Sequence, residues 1–281
     1  MKKAIKAIAL PFVRNKSFWH IIQCTLGVVS IPYNKLNALR IFSEENEKKA
    51  QEDNRYHRIT SRHMVLNGPF KGMKYPRLQA RGSRLYPKLL GSYEKELSTI
   101  IGIILRRKYD VIVDIGCAEG YYAVGLGMHM STVKIFAYDT DKEALRLCED
   151  MGALNGVKVN VGEFCDQATL RNLDLGERAL IVSDCEGYET TLFDQNMASY
   201  LERHDILIES HDWVDIGTTR RLWAIFSETH ECEIIESVDD IAKAYTYNFE
   251  ELKDFDLSDR HRVLTEGRKH IMKWIFAKSK Y

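Results

Sequence analysis

The sequence lacks an excess of charge of either sign, because 40 basic residues balance 40 acidic residues and the formal net charge is +0. A chain of this kind has no global positive field to hold a polyanion, so no nucleic-acid partner is favoured. Internal repeats and low-complexity tracts are also missing. With 45% hydrophobic and 28% charged residues, the composition is typical of a globular protein that buries a real core.

Cysteine is scarce, and none of the six cysteines belongs to a Cys-x-x-Cys pair. Several lie in or beside predicted strands, where cysteine acts as a small buried apolar residue. We therefore expect reduced thiols in a cytoplasmic protein.

A hydrophobic run long enough to cross a membrane is missing from the N-terminal region. Residues 18–31 fall short of the roughly 20 residues that a membrane span requires. The earlier apolar stretch is interrupted before it can serve as a signal peptide. Residues 1–31 are basic and apolar, so peripheral contact with the inner face of a membrane is one interpretation. The preferred one is a helical arm, residues 1–58, that packs on the main domain or on a second subunit of a homo-oligomer.

Two further regions follow the arm. Residues 59–108 contain a predicted hairpin around Asn67-Gly68 and a helix that leads into the core from about Ser92. In residues 109–281, strands and helices alternate, which predicts an α/β, Rossmann-like, doubly wound and mostly parallel seven-stranded sheet. The last two strands enclose an insertion, residues 237–270, where we expect a substrate lid.

The first strand of this alternating region ends at Asp114 and turns through Gly116 and Gly120 into a helix. The glycines let a ligand approach the backbone closely. Their Gly-x-x-x-Gly spacing differs from the Gly-x-Gly-x-x-Gly of dinucleotide sites, which argues against NAD and FAD. The second strand ends at Asp139, from which a carboxylate can accept hydrogen bonds from ribose hydroxyls.

This arrangement resembles the class I S-adenosylmethionine-dependent methyltransferases. The resemblance implies S-adenosylmethionine as cofactor. After the third strand, either Glu163 or Asp166 is expected to contact the adenine amino group. The predicted cofactor-binding residues are Asp114, Gly116, Cys117, Ala118, Gly120, Tyr121, Asp139, Thr140, Glu163, Phe164 and Asp184.

Two later strand ends narrow the resemblance. The fourth strand is followed by Asp184-Cys185-Glu186-Gly187-Tyr188-Glu189, and the fifth contains Glu209-Ser210-His211. Over about residues 91–236 this pattern is similar to the FkbM-like methyltransferases. That similarity implies O-methylation of a hydroxyl on a sugar, polysaccharide or glycolipid precursor, hence a small-molecule or glycan acceptor. Cys185, Tyr188, the long arm and the insertion depart from the family pattern.

Two mechanisms fit the predicted catalytic residues, which are His211, Asp184, Glu209 and Glu186. In the first, which we prefer, His211 accepts the hydroxyl proton while Glu209 or Asp184 orients the imidazole. In the second, Asp184, Glu209 and His211 bind Mg²⁺, which lowers the pKa of the hydroxyl. Glu186 is equally suited to cap the next helix.

Other functions stay open. An RNA or protein methyltransferase is one alternative, although the balanced charge argues against RNA. A non-catalytic binding subunit with a methyltransferase-like pocket is another. Arg262 and Arg268 in the insertion are candidates to pair with a phosphate or carboxylate of the substrate, with solvated surface arginines as the alternative.

Overall fold

The computed structural model describes residues 55–281. Within this range residues 55–60 are helical, and one compact unit extends from His57 to Tyr281. Most of the predicted arm lies outside the described residues, as do the predicted membrane contact through residues 1–31 and any oligomer contact made by the arm. In the described part of the chain, no helix combines the length and the apolar character that a membrane span needs.

A single seven-stranded sheet forms the centre of the described unit. Its spatial order is β3-β2-β1-β4-β5-β7-β6. Strand β7 is antiparallel to both of its neighbours, and the remaining strand pairs are parallel. The strands are β1 Val111–Ile115, β2 Lys134–Tyr138, β3 Val159–Gly162, β4 Ala179–Ser183, β5 Asp205–Ser210, β6 His230–Glu236 and β7 Lys273–Ser279. The predicted Rossmann-like, mostly parallel seven-stranded sheet is therefore confirmed.

Helices flank the sheet and connect its strands. Two short 3-10 helices, Lys95–Leu97 and Glu250–Leu252, accompany them. The α-helices are α1 Leu85–Leu90, α2 Ser98–Arg106, α3 Tyr121–Gly127, α4 Lys142–Asn155, α5 Gln167–Asn172, α6 Glu189–Leu192, α7 Gln195–Tyr200, α8 Thr218–Ser227, α9 Asp240–Thr246 and α10 Leu257–Leu264. Helices α9 and α10 occupy the segment between β6 and β7.

Strand register brings the functional loops together. Val111 of β1 is aligned with Lys134 of β2 and with Ala179 of β4. Since these three strands are parallel, their carboxyl ends open at one edge of the sheet, where open α/β sheets bind ligands. Strands β1, β4 and β5 are buried along their whole length, so the loops at that edge rest on a rigid core.

The apolar side chains on one face of β1, β4 and β5 form a continuous core with the helices that follow β4 and β5. Alternating strand residues such as Val113 and Ile181 pack in the same cluster as Phe193, Leu222 and Phe226. Alternate residues of a strand point to one face of a sheet, which explains how these strands contribute every second residue to this layer.

The structure differs from the predicted hairpin in its turn. The two arms meet through one antiparallel bridge, Met64 with Lys74, and not through paired strands. Leu66 donates its amide hydrogen to Leu89 O, and Asn67 Nδ2 donates to Leu90 O. Contacts with the end of α1 therefore replace the expected two-residue turn at Asn67-Gly68.

The helix before β1 also begins later than predicted. The α-helix starts at Ser98, while Ser92 Oγ donates to Pro87 O and caps nothing. Between them, Glu94 takes a left-handed conformation with φ 47°. Its buried carboxylate accepts hydrogen bonds from Tyr122 and Arg268, and these distant partners fix the local backbone.

Candidate active site

Asp114 of β1 and Asp184, directly after β4, fix the position of the loop after β1. Asp114 Oδ2 accepts a hydrogen bond of 2.9 Å from Ala123 N, at the start of α3. Burial raises the pKa of Asp114 to about 7. Gly116 has φ 83°, and a Cβ atom there would lie 1.6 Å from the carbonyl oxygen of Asp184. Only glycine therefore fits at this position.

A cavity of about 330 Å³ opens beside this loop. All of the predicted cofactor-binding residues except Gly120 line it. Gly120 is instead the N-cap residue of α3, and a Cβ atom there would lie 2.7 Å from Cys148 Sγ. Its role is thus close packing of the turn against α4.

Asp139 connects the two loops that frame this cavity. Its Oδ2 accepts a hydrogen bond of 2.9 Å from Ala118 N, and its Oδ1 accepts one of 2.8 Å from Asp141 N. Each carboxylate oxygen retains a second lone pair for a ligand. Asp139 is therefore placed both to shape the cavity and to accept hydrogen bonds from hydroxyl groups within it.

The far end of the cavity is formed by the loop after β3. Phe164 packs on the Tyr188 ring with 5.4 Å between the ring centroids. Glu163 lines the cavity and pairs with Lys142 at 3.0 Å. Asp166 accepts from Thr169 N and caps α5, outside the cavity lining. Of the two candidates for adenine recognition, only Glu163 therefore reaches the cavity.

A buried ion pair that sequence reasoning missed covers the other side. Glu119 is 1% exposed, and its carboxylate accepts from Lys88 Nζ at 2.6 Å, from Arg81 N at 3.0 Å and from Tyr75 Oη at 3.3 Å. Arg81 also pairs with Asp141. The segment before α1 is thereby fixed over the cavity. The partners are 31 to 44 residues from Glu119, so no local pattern predicts them.

The predicted catalytic residues cluster around His211, which is 1% exposed. Its Nε2 atom lies 3.4 Å from Asp184 Oδ1, 3.6 Å from Glu186 Oε2 and 3.7 Å from Glu209 Oε2. Its Nδ1 atom lies 2.7 Å from Glu189 Oε1. One imidazole thus faces four carboxylates at the ends of β4 and β5.

These neighbours change the proton affinities of the cluster. Burial lowers the pKa of His211, but Glu189, Glu209 and Glu186 together raise it above its ordinary value. The pKa of Asp184 is raised well above its ordinary range by burial and by the adjacent Glu209 carboxylate. Asp184 and His211 therefore both hold a proton more firmly than the isolated side chains would.

The residue that orients His211 differs from the prediction. Glu189, and not Glu209 or Asp184, contacts Nδ1. Glu209 is bound by Arg268. Glu186 does not cap the next helix, which begins at Glu189 with Tyr188 as its N-cap. Its side chain faces His211 instead.

The residues placed to bind a metal ion also differ from the predicted set of Asp184, Glu209 and His211. One donor atom each from Asp184, Glu186 and His211 lies within 4.8 Å of the other two. Among residues 55–281, Oδ1 of Asp184 is buried and has no hydrogen-bond partner. Two carboxylates and an imidazole suit a divalent cation, whereas Glu209 is committed to Arg268.

A second cleft, of about 410 Å³, adjoins the first cavity. The two share Gly82, Ser83, Tyr93, Asp184 and Glu186. His211 and Trp213 line only the second cleft, together with residues 266–270. Asp184 and Glu186 therefore lie at the boundary between the two spaces.

Arg268 stabilises the floor of this second cleft. Its guanidinium pairs with Glu94 and Glu209, and its Nε lies 2.8 Å from Glu266 Oε2. Glu266 pairs in turn with the buried Lys243 at 2.5 Å. The proposed pairing of Arg268 with a substrate anion is thus wrong, since its partners are carboxylates of the chain itself.

No protein-family model matches this chain, and no match was found among curated proteins. Solved structures with partial similarity include the precorrin-6Y C5,15-methyltransferase of Geobacter metallireducens, at 14% identity over 65% of this chain and 89% of that one, with a TM-score of 0.44. An S-adenosylmethionine-dependent O-methyltransferase from Thermotoga maritima shares 13% identity over 65% of this chain and 64% of that one, with a TM-score of 0.42.

The Pyrococcus abyssi tRNA (uracil-54, C5)-methyltransferase in complex with S-adenosylhomocysteine is similar at 11% identity, over 66% of this chain and 37% of that one, with a TM-score of 0.39. At these identities and TM-scores, neither an acceptor nor a mechanism follows from the similarity.

Proposed function

We propose that this protein transfers a methyl group from S-adenosylmethionine to a hydroxyl group of a small-molecule or glycan acceptor, such as a polysaccharide or glycolipid precursor. The proposal rests chiefly on one observation. His211 Nε2, Asp184 and Glu186 lie where the first cavity meets the second cleft. The first cavity contains the glycine turn at Gly116 and the carboxylate of Asp139, which is placed to bind ribose hydroxyls.

The residues of the first cavity fit this cofactor. The turn from Gly116 to Ala118 offers backbone close to a ligand, and Asp139 offers acceptors for ribose hydroxyls. Phe164 and Tyr188 offer aromatic faces for a base. When bound, the cofactor supplies an activated methyl group on a positively charged sulfur, so the protein's main task is alignment and proton removal.

The second cleft, called the acceptor cleft from here on, holds the residues that would remove the proton. An acceptor hydroxyl near Asp184 would give its proton to neutral His211 at Nε2 as its oxygen takes the methyl group. Glu189 at Nδ1 would stabilise the resulting imidazolium and keep the ring in place. Because the acceptor cleft is open, the proton can then pass to solvent.

A divalent cation held by Asp184, Glu186 and His211 is the alternative arrangement, and it would lower the pKa of a bound hydroxyl. One test distinguishes the metal-free mechanism from the metal-dependent one. Turnover that survives exhaustive chelation supports His211 as base, whereas turnover that is lost on chelation and restored by Mg²⁺ assigns the cluster to the metal.

The experiment is a methyl-transfer assay with labelled S-adenosylmethionine against sugar, glycolipid and polysaccharide acceptors. His211→Ala is expected to lose about 100-fold or more in turnover, and His57→Ala, an exposed histidine, should keep it. Thermal unfolding and cofactor binding of both variants show whether the fold is intact. Tight cofactor binding without turnover on any acceptor would favour a non-catalytic subunit, and equal turnover in both variants would contradict the role of His211.

A further inference from the structure

Two neighbouring segments at the mouth of the acceptor cleft expose apolar side chains. Residues 211–217 follow β5, and residues 267–272 precede β7. Ser210 is paired with Lys273 in the sheet, so the two segments leave the sheet side by side. Both contribute residues to the lining of the cleft. We call these two segments the cleft rim, and the large apolar side chains that it exposes are Trp213, Val214, Ile216 and Ile271.

Ile216 lies at the tip of a tight turn in this rim. It is 88% exposed, more than any other large apolar side chain of the described residues. Gly217 N donates to Asp215 Oδ1 at 3.0 Å, and Thr218 N donates to Asp215 O at 2.9 Å. These bonds hold Ile216 away from the core and satisfy the two amides that follow it. Since amides that are already bonded lose little when they leave water, the tip is suited to enter an apolar medium.

The charge of the rim is positive beside this tip. Each acid of the two segments is paired with a cation, and these pairs are Asp212 with Lys273 at 3.4 Å and Asp215 with Arg221 at 2.8 Å. Lys269 and His270 are exposed, and within residues 55–281 no hydrogen bond or ion pair joins their side chains to another residue. The nearby Glu186 carboxylate faces His211 inside the cleft. The rim therefore combines an apolar tip with a cationic side chain that is free to pair with an external anion.

We propose that the cleft rim docks the protein on an anionic lipid surface, with Ile216 and Trp213 among the lipid headgroups and Lys269 beside lipid phosphates. Tryptophan is enriched at the boundary between water and lipid, and lysine extends its charged end to the headgroups. Four apolar side chains on two loops fall short of the roughly 20 residues that one side of a stable protein interface contributes. Docking would open the acceptor cleft onto the membrane. That the acceptor is lipid-borne rests on the proposed function, whereas the docking itself does not.

The test is co-sedimentation of the full chain with vesicles of phosphatidylcholine and phosphatidylglycerol. Ile216→Ser is expected to weaken binding about fivefold or more, because the rim loses its most exposed apolar side chain. Leu154→Ser is the matched control, since Leu154 is 44% exposed near the end of α4, at the opposite edge of the sheet. Both variants keep residues 1–54, so any vesicle binding by the N-terminal arm is common to them.

A second set of variants tests the charge and the orientation of the rim. Lys269→Gln should reduce the preference for vesicles with phosphatidylglycerol over pure phosphatidylcholine about threefold, and Arg203→Gln, an exposed residue before β5 at the opposite edge, should not. An environment-sensitive fluorophore attached through Ile216→Cys should shift its emission to shorter wavelength when vesicles are added. The same fluorophore attached through Leu154→Cys should not shift, and wild type treated with the reagent gives the background from native cysteines.

Each outcome decides the proposal. No vesicle binding by folded wild type, or equal binding by Ile216→Ser and Leu154→Ser, would overturn it, and thermal unfolding shows that the variants are folded. Self-association in sedimentation velocity that is lost in Ile216→Ser, without vesicle binding, would assign the rim to a second copy of the chain and also overturn it. S-adenosylmethionine binding is measured separately on the same samples, so failure of the proposed function and failure of the docking surface are distinguished.

Discussion

His211 owes its chemical character to the carboxylates around it. An isolated imidazole titrates with a pKa near 6.5. Here the neighbouring acids outweigh the effect of burial and raise the pKa of His211. A base with a raised pKa binds the transferred proton more firmly. The same raised pKa means that the base is neutral only at higher pH. The pH dependence of the rate is therefore the most informative property of this residue.

Replacing Glu189 with glutamine tests that property. The proposed mechanism requires neutral His211, so the rate should rise with pH through the pKa of His211. Removing the Glu189 charge lowers this pKa, and the rising limb of the pH profile should move to lower pH. The maximal rate should fall about tenfold or more, because the ring loses its orienting partner. A lower rate with an unmoved profile would mean that Glu189 has only a structural role.

Asp184 illustrates a conflict between stability and function. Its carboxylate is packed against Glu209, and both burial and that neighbour disfavour its ionised form. Asp184→Asn removes the repulsion, so we expect the free energy of unfolding to increase by about 1 kcal/mol. Turnover should be lost in the same variant. Denaturant unfolding and the methyl-transfer assay measure the two effects, and a destabilised Asp184→Asn would contradict this account of the cluster.

Sequence reasoning found those site residues that lie within short motifs. Asp114, Gly116 and Asp139 follow predicted strands directly, so their position at the ligand-binding edge could be foreseen. Glu119 and Arg268 could not be assigned, because their partners are far away in the chain; Arg268 binds Glu94, 174 residues before it. Which acids would be free and which internally paired depended on tertiary contacts alone.

At the scale of secondary-structure elements, the close approach of β1 and β4 depends on one glycine. Gly116 and Gly156 both have positive φ, but only at Gly116 would a Cβ atom collide with backbone, that of Asp184. Gly156 has open space around it. The two positions therefore separate the cost of the backbone conformation from the cost of the collision.

We expect Gly156→Ala to reduce the free energy of unfolding by about 1 kcal/mol, which is the cost of a left-handed conformation. Gly116→Ala should cost more than about 3 kcal/mol and abolish cofactor binding, because the loop after β1 must move. Urea unfolding and calorimetry measure both. If the two variants lose the same stability, the contact between Gly116 and Asp184 is not as close as described.

The seven strands and the helices α3, α4 and α8 were predictable because each follows from a local pattern of apolar residues and turn residues. The segment before β1 was not. The 3-10 turn at Lys95–Leu97 and the loop at Asn67 are fixed by contacts with α1 and with Arg268. Long-range contacts, and not the secondary-structure propensity of the local sequence, determine the backbone conformation there.

At the scale of the whole molecule, two buried histidines make stability depend on pH. Burial lowers the pKa values of His204 and His230. His204 Nδ1 accepts a hydrogen bond of 3.0 Å from Ala179 N at the start of β4. Since the unfolded chain binds protons at higher pH than the folded chain, stability present above about pH 6.5 should be lost as the pH falls.

His204→Asn retains a hydrogen-bond acceptor for Ala179 but cannot titrate. We expect the loss of unfolding free energy between pH 7.5 and pH 5.5 to be smaller in this variant than in the wild type. Comparing the two proteins cancels the opposing contribution of buried acids such as Asp184, whose raised pKa favours the folded state at low pH. Equal pH dependence in both would show that His204 does not contribute.

The central claim, that the cavity beside β1 and β2 binds S-adenosylmethionine, is tested most directly by calorimetry with the wild type and Asp139→Ala. Asp174→Ala, which removes an exposed acid paired with Lys134, is the control. We predict micromolar binding at one site in the wild type and control, weakened at least tenfold in Asp139→Ala. Absence of binding by folded wild type, or binding that does not depend on Asp139, would contradict the account.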